Sequence, residues 1–321
     1  MSDFPEFVCP YAERLAKRSR RFALQCYELG NCSIRRFVDS SIDSTIRPFD
    51  DSKTSPSPGQ RTSCPLQKNF SPDPFGELTH ASKCHGLRQR FPDRVLIMTA
   101  NRCFMNCRHC TRRGILGRSE IVRTADELAR CVEYVKRHVK VRDVLLSGGD
   151  ILTLSDDRVL RFVRAFAGLR QVDLVRVCTR ALAANPLRVT EGLAKGLARS
   201  KKVWVNTQFN CADEVTSEAV CAAARLIDRG IPVSCQTVLL RGVNDSGAEM
   251  LRLLRALSAA RIRPYYVFQC DPVAGIDRFR VSLDRAKEIE RYCAERIGGL
   301  SLPRFVADLP TARRKLPLDL L

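Results

Sequence analysis

From Arg94 onward, apolar runs of strand length alternate with longer stretches whose apolar residues recur at helical spacing. The strand-like runs are RVLIMTA (94–100), DVLLS (143–147), DLVRVCT (173–179), KVWVNT (202–207), PVSCQTVLL (232–240) and PYYVFQ (264–269). Helix-like spacing follows over about 155–168, 187–199, 217–229, 248–260 and 283–297. A further helix is expected to open at Thr124, with Glu127 three residues on in capping-box spacing. Strand-then-helix units in series predict an α/β fold with a parallel sheet backed by helices, curved into a partial (β/α)6 barrel. Ahead of it, YAERLAKRSRRFALQCYELG predicts a mostly helical extension, and the Ser/Pro-rich DDSKTSPSPGQRTS (50–63) predicts a linker. The expected organisation is an extension with linker over 1–63, a barrel with its entry segment over 64–300, and a C-terminal segment over 301–321.

Composition changes this picture little. The chain has 321 residues, 45% apolar and 28% charged, enough for a full core. No stretch approaches the roughly 18 uncharged apolar residues of a membrane helix. The N-terminal MSDFPEFVCPYAERLAKRSRRF has early acids and no apolar h-region, so a cytoplasmic location is expected. A net charge of +19 invites a nucleic-acid partner, yet the basic residues are spread along the chain and no recognition module accompanies them. Small anionic ligands explain some of the arginines more economically. Fifteen cysteines, an odd number in a long chain with no export signal, do not read as a disulfide framework. Most, such as Cys178 and Cys235, sit singly in apolar runs as small hydrophobes.

One cluster differs. In NRCFMNCRHCTRR, Cys103, Cys107 and Cys110 directly follow the first barrel strand, at the strand end where such folds gather their ligands. Three thiolates at this spacing can hold a metal, and two choices compete. A structural zinc wants a fourth protein ligand, and His109, between two of the cysteines, is awkwardly placed to serve. A [4Fe–4S] cluster held by three cysteines leaves one iron open to a substrate or cofactor. SGGD, NTQFN and the Cys270–Asp271 pair end three other strands on the same rim. SGGD by itself reads equally well as a plain strand-to-helix turn.

The run FPDRVLIMTANRCFMNCRHCTRRGILG, with LLSGGDILTLSD, VWVNTQFN, PVSCQTVLLRGVND and RPYYVFQCDPVAGIDRFR, resembles the lysine 2,3-aminomutase family of the radical S-adenosylmethionine superfamily. The resemblance runs from about Cys64 to the C-terminus and implies a partial barrel of the radical SAM type. It implies that Cys103, Cys107 and Cys110 hold a [4Fe–4S] cluster and that Gly148, Gly149 and Asp150 contact S-adenosylmethionine. Glycines allow close backbone approach, and Asp150 is expected to accept from the cofactor's amino group. Lys315 matches the lysine that carries pyridoxal 5'-phosphate; Arg313 and Arg314 beside it favour the neutral amine that task needs. Arg90 and Arg94 match positions that hold the phosphate, and Gln236 a cofactor-lining position. Arg112 matches the residue that pairs with the substrate carboxylate, and Asp271 and Asp308 the pair that grips a distal ammonium. Taken without the resemblance, Lys315 is one tail lysine among many, and both aspartates read as turn residues.

The implied activity moves the α-amino group of a cationic amino acid to its β-carbon. L-lysine is the expected substrate, with arginine or ornithine as alternatives, and a glutamate would be repelled by the two aspartates. A one-electron donor such as flavodoxin or ferredoxin and a homo-oligomeric state are compatible with the family. A basic Fe–S or zinc protein acting on nucleic acid is the rival of another class. Two departures stand out: Gln208 replaces the family's histidine in NTQFN, and TARR replaces a glycine-rich run before Lys315. Larger aminomutases also carry a C-terminal segment whose cysteines help bind zinc between subunits. Only Leu316 to Leu321 follow Lys315, so no such zinc is expected, an ending that resembles relatives making beta-lysine for elongation factor P.

Overall fold

The computed structural model describes residues 10–23, 25, 73–77, 84–114, 121–310, 312 and 314–321. The expected linker at 50–63 and most of the N-terminal extension lie outside them.

A nine-stranded sheet runs in chain order, β1 (Leu87–Phe91), β2 (Arg94–Ala100), β3 (Asp143–Gly148), β4 (Leu174–Cys178), β5 (Val203–Gln208), β6 (Val233–Leu239), β7 (Arg263–Gln269), β8 (Arg304–Ala307) and β9 (Leu316–Pro317). β2 to β8 pair in parallel, and the edge strands β1 and β9 pair antiparallel to β2 and β8. Six of the parallel strands are those the apolar runs predict. β1, β8 and β9 were not expected, because LRQRF carries only two strongly apolar residues and β8 and β9 are too short to show a period. The C-terminal segment therefore continues the barrel sheet instead of standing apart from it.

The N-terminal α1 (Pro10–Arg18) and α2 (Arg20–Ala23) lie outside the sheet. Then come α3 (Ala125–Arg137), α4 (Asp156–Ala167), the short α5 (Ala181–Ala184), α6 (Glu191–Ala198), α7 (Ser217–Ile227), α8 (Gly247–Ala259) and α9 (Leu283–Ala294). Their starts are set by short polar side chains. The Thr124 hydroxyl accepts from Glu127 N at 3.1 Å while the Glu127 carboxylate accepts from Thr124 N at 2.9 Å, the expected capping box. Thr190, Thr216, Ser246 and Ser282 cap α6 to α9 in the same way. Thr190 also explains why the expected helix at 187–199 begins late, after a separate 3-10 turn at Pro186–Arg188. Leu193, Leu226, Leu253 and Ile289 are buried on the inward faces of these helices.

β3 turns sharply into the rim. Gly148 has φ +109°, and a Cβ there would lie 2.5 Å from the Ala100 carbonyl oxygen. A Cβ on Gly149 would fall on the Arg102 carbonyl oxygen. Both glycines let the β3 end pack against the loop after β2. Gly149→Ala is expected to push that loop away and destabilise the fold by about 1–3 kcal/mol, read as a lowered thermal midpoint. An unchanged midpoint would show that the two turns are not rigidly packed.

Candidate functional site

A cavity of about 440 Å³ opens at the carboxyl ends of the strands, and every candidate residue named from the sequence lines it. Cys103, Cys107 and Cys110 come from the loop after β2, and Gly148, Gly149 and Asp150 from the end of β3. Gln208 and Gln236 come from the paired strands β5 and β6, in register with each other. Arg90 and Arg94 come from β1 and β2, and Asp271, Asp308 and Lys315 from the turns after β7, after β8 and before β9.

The cysteine loop is held by backbone hydrogen bonds from β3. Gly149 N donates to Ala100 O at 2.6 Å and Asp150 N to Arg102 O at 2.7 Å. Asp150 is buried, and its carboxylate accepts from Leu152 N (3.0 Å), Thr179 Oγ1 (2.6 Å) and Arg180 N (2.7 Å). Within the chain these residues have a structural part as well. Asp150 is a clamp joining the ends of β3 and β4, and it also lines the cavity. The glycines likewise serve the approach of one backbone to another.

Burial pushes the Cys110 thiol up to about 11 and Cys103 well above its ordinary value. Such thiols reach the thiolate form when a bound metal group supplies positive charge. Arg180 adds a cation, with Nη1 donating to the Cys107 sulfur at 2.8 Å. Among the described residues no three Cys, His, Asp or Glu side chains converge where a single ion would sit. The donor set, three sulfurs on a shared cavity wall, suits a multi-iron group. His109 is no fourth ligand: its Nε2 accepts from Gln208 Nε2 at 3.1 Å and from Asn210 Nδ2 at 3.3 Å. Burial and the Arg180 charge hold it neutral, well below the usual histidine range, so the proton sits on Nδ1. That Nδ1 is buried and has no partner among the described residues, a donor that an acceptor on a bound cofactor would satisfy. Gln208 in place of a histidine thus supplies a donor that never titrates and fixes the His109 tautomer.

On the same cavity wall, Lys315 Nζ contacts the Asp308 carboxylate and stands 5.7 Å from the Phe91 ring and 5.6 Å from the Phe268 ring. Burial, then Arg90 and Arg94, bring its ammonium down to about 8, against the opposing pull of Asp271. The Asp308 contact also favours the ammonium. The responsible cations come from β1 and β2; Arg314 is exposed, and Arg313 lies outside the described residues. Arg90 Nη1 donates to Asp308 Oδ1 at 3.0 Å and Nη2 to the Leu309 carbonyl. Arg94 pairs bidentately with Asp93 at 3.0 Å. Burial raises the Asp271 carboxyl to about 7, although Lys315, Arg280 and Arg90 pull it back. Asp308, expected to face a substrate cation, faces the protein's own Lys315 and Arg90 here.

Arg112 also has a partner the sequence did not show. Its Nε and Nη2 donate to the two oxygens of Glu77 at 2.7 and 2.6 Å, and its Nη1 reaches Ser147 Oγ and Gly148 O only at 3.5 and 3.4 Å. Glu77 lies in FSPDPFGE, which reads as irregular chain with no periodicity to mark it. Arg180, just past the end of β4, was missed because an arginine at a strand end is no signal on its own. Gln236 joins a third set, accepting from the Tyr265 hydroxyl at 3.1 Å, which accepts from Asn206 Nδ2 at 2.9 Å.

The family model described as Radical SAM superfamily matches residues 97–254. The L-lysine 2,3-aminomutase of Fusobacterium nucleatum is 38% identical over 268 residues, covering 79% of this chain and 63% of that one. The provisionally named L-lysine 2,3-aminomutase of Treponema pallidum is 35% identical over 77% of this chain and 69% of its own. A glutamate 2,3-aminomutase of Clostridioides difficile is also 35% identical, over 77% of this chain and 58% of its own. The chain spans about three-fifths of the length of most of these curated relatives. Among solved structures, Streptococcus suis SuiB bound to S-adenosylmethionine shares the fold at a TM-score of 0.51 and 16% identity, over 70% of this chain and 52% of that one. The [4Fe–4S] cluster and S-adenosylmethionine of the radical SAM superfamily fit the cysteine wall and the orphaned His109 donor. On sequence and fold together, the chain belongs to the lysine 2,3-aminomutase family of the radical S-adenosylmethionine superfamily.

Proposed function

We propose that this protein is a radical aminomutase that moves the α-amino group of a cationic amino acid, L-lysine, to its β-carbon. The observation that carries the reading is one cavity lined both by the three cysteines and by Lys315, Asp271 and Asp308. The cluster with S-adenosylmethionine supplies a hydrogen-abstracting radical when bound, and pyridoxal phosphate supplies the carbonyl that carries the migrating nitrogen. A one-electron donor of the flavodoxin or ferredoxin kind completes the requirements. No helix among the described residues is long and apolar enough to cross a membrane.

The chain's own residues orient and shield. Lys315, with its ammonium near 8, offers a free amine to the cofactor at mildly alkaline pH. Arg90 and Arg94 supply fixed positive charge for a phosphate, stacked against Phe91 at 5.0 and 4.9 Å. Arg112, locked by Glu77 on one edge, keeps its Nη1 edge for a substrate carboxylate. Asp271 and Asp308 compensate a buried distal ammonium, which a second carboxylate in that position would not. The glutamate-named relative is as identical as one of the lysine-named ones, so the aspartate pair is what supports the choice of substrate.

Anaerobically reconstituted protein given S-adenosylmethionine, pyridoxal phosphate and lysine, arginine, ornithine or glutamate separately is expected to yield beta-lysine by mass spectrometry, and none in Lys315→Ala. Cleavage of S-adenosylmethionine with no amino-acid rearrangement would sink the aminomutase reading. Only ionised Asp271 attracts an ammonium, so KM for lysine should fall as pH rises through about 7. From pH 6 to 8 that is roughly 10-fold for one titrating group, and Asp271→Asn should flatten the profile. Glu77→Gln weakens a charge-assisted pair of about 1.5–3 kcal/mol, so KM for lysine should rise roughly 10-fold with kcat little changed. A lower KM would mean instead that Glu77 competes with substrate for Arg112.

A further inference from the structure

The N-terminal segment reaches the cysteine site. α1 and α2 dock on the outside of the barrel through buried Ala12, Ala16 and Phe22, with Tyr11 OH 2.6 Å from Thr216 Oγ1 and Ser19 Oγ donating to Asp213 at 2.7 Å. Two residues past α2, Gln25 is fully enclosed beneath the cysteine loop. Its carbonyl accepts from Arg108 N at 2.8 Å, within the loop between Cys107 and Cys110. Its side-chain Oε1 accepts from Arg180 Nη2 at 2.5 Å and from Asn210 Nδ2 at 2.7 Å, and its Nε2 donates to Glu214 Oε1 at 2.7 Å. Glu214 accepts from the same Arg180 nitrogen at 3.0 Å. The guanidinium so fixed presents Nη1 to the Cys107 sulfur. Asn210 meanwhile reaches His109 Nε2 and accepts from Val238 N at 2.9 Å.

We infer that the N-terminal segment is a working part of the cluster site: Gln25 completes a buried relay that fixes Arg180 on the Cys107 sulfur. The relay sets how firmly the cluster is held and how its electrons are tuned. The inference rests on the reading that these cysteines carry the cluster. Its physical basis is general. Hydrogen bonds and positive charge at a ligating sulfur favour the thiolate, shift the potential of an iron–sulfur cluster and slow loss of iron. A network shut off from water transmits the loss of one member, because the groups left behind find no replacement partner. Gln25 is thus a positioning residue that acts through Arg180.

The test uses the full chain with its cluster reconstituted anaerobically. Gln25→Ala and Gln25→Met are compared with wild type and with Tyr11→Phe, which loosens α1 at its far end while leaving the relay intact. The readouts are the rate of iron loss to a ferrous chelator, the electron paramagnetic resonance signal of the reduced cluster, and the thermal midpoint. Both Gln25 variants are expected to lose iron roughly 10-fold faster, with an altered cluster signal, while Tyr11→Phe matches wild type in both. Where Gln25→Ala fails to fold, Gln25→Met, which fills the space with no hydrogen-bonding group, decides. Wild-type iron loss and signal in the Gln25 variants overturn the inference. Equal acceleration in Tyr11→Phe overturns it too, by reducing Gln25 to a docking contact. A wild-type chain that takes up no cluster overturns both this and the reading beneath it.

Discussion

Seven parallel strands leave this barrel short of the eight that close a (β/α)8 cylinder, so a seam stays open between β1 and the β8–β9 edge. Among the described residues no backbone ladder bridges it. Arg90 on β1 instead reaches across to Asp308 and the Leu309 carbonyl, and Lys315 contacts the same carboxylate. This ionic seam is the constraint on which the rest depends. It brings the C-terminal lysine to the wall of the same cavity that the cysteines line. Charges enclosed this way are tolerable only in compensating sets, and two cations with Asp308 and Asp271 make one.

The chemistry at both ends follows from how tightly each reactive group is supported. Asp150 spends its carboxylate on Thr179, Arg180 and Leu152, so the ends of β3 and β4 cannot drift and the loop with Cys103, Cys107 and Cys110 inherits that rigidity. Gly148 and Gly149 lack Cβ atoms so that the two backbones can meet. At the lysine end, burial works against the ammonium, and the nearby arginines deepen the effect. Placing Lys315 in water would keep it protonated near neutrality; placing it by carboxylates alone would do the same.

The Gln208–His109 pair shows how a departure from a family pattern acquires meaning in three dimensions. A glutamine where relatives carry histidine reads as a retuned pocket. In the fold it is a permanent donor to His109 Nε2, which leaves the proton on a buried Nδ1 that faces no acceptor among the described residues. The same holds for Arg112, whose expected partner was a ligand and whose observed partner is Glu77.

Periodicity alone determined the six central strands, the helices between them and the placing of motifs at strand ends, because strands buried along most of their length and helices buried on one face imprint directly on the order of apolar residues. The cysteine spacing alone marked a ligand site, since three thiols within one loop have little else to do. Only the tertiary structure decided the partners: Glu77 on Arg112, Gln25 and Glu214 on Arg180, Asp308 on Lys315, each joined across 7 to 155 positions of chain. Lone polar residues in irregular segments carry no periodic signal. Their roles come into being when burial removes water and obliges each charge to find whichever complement the fold brings near.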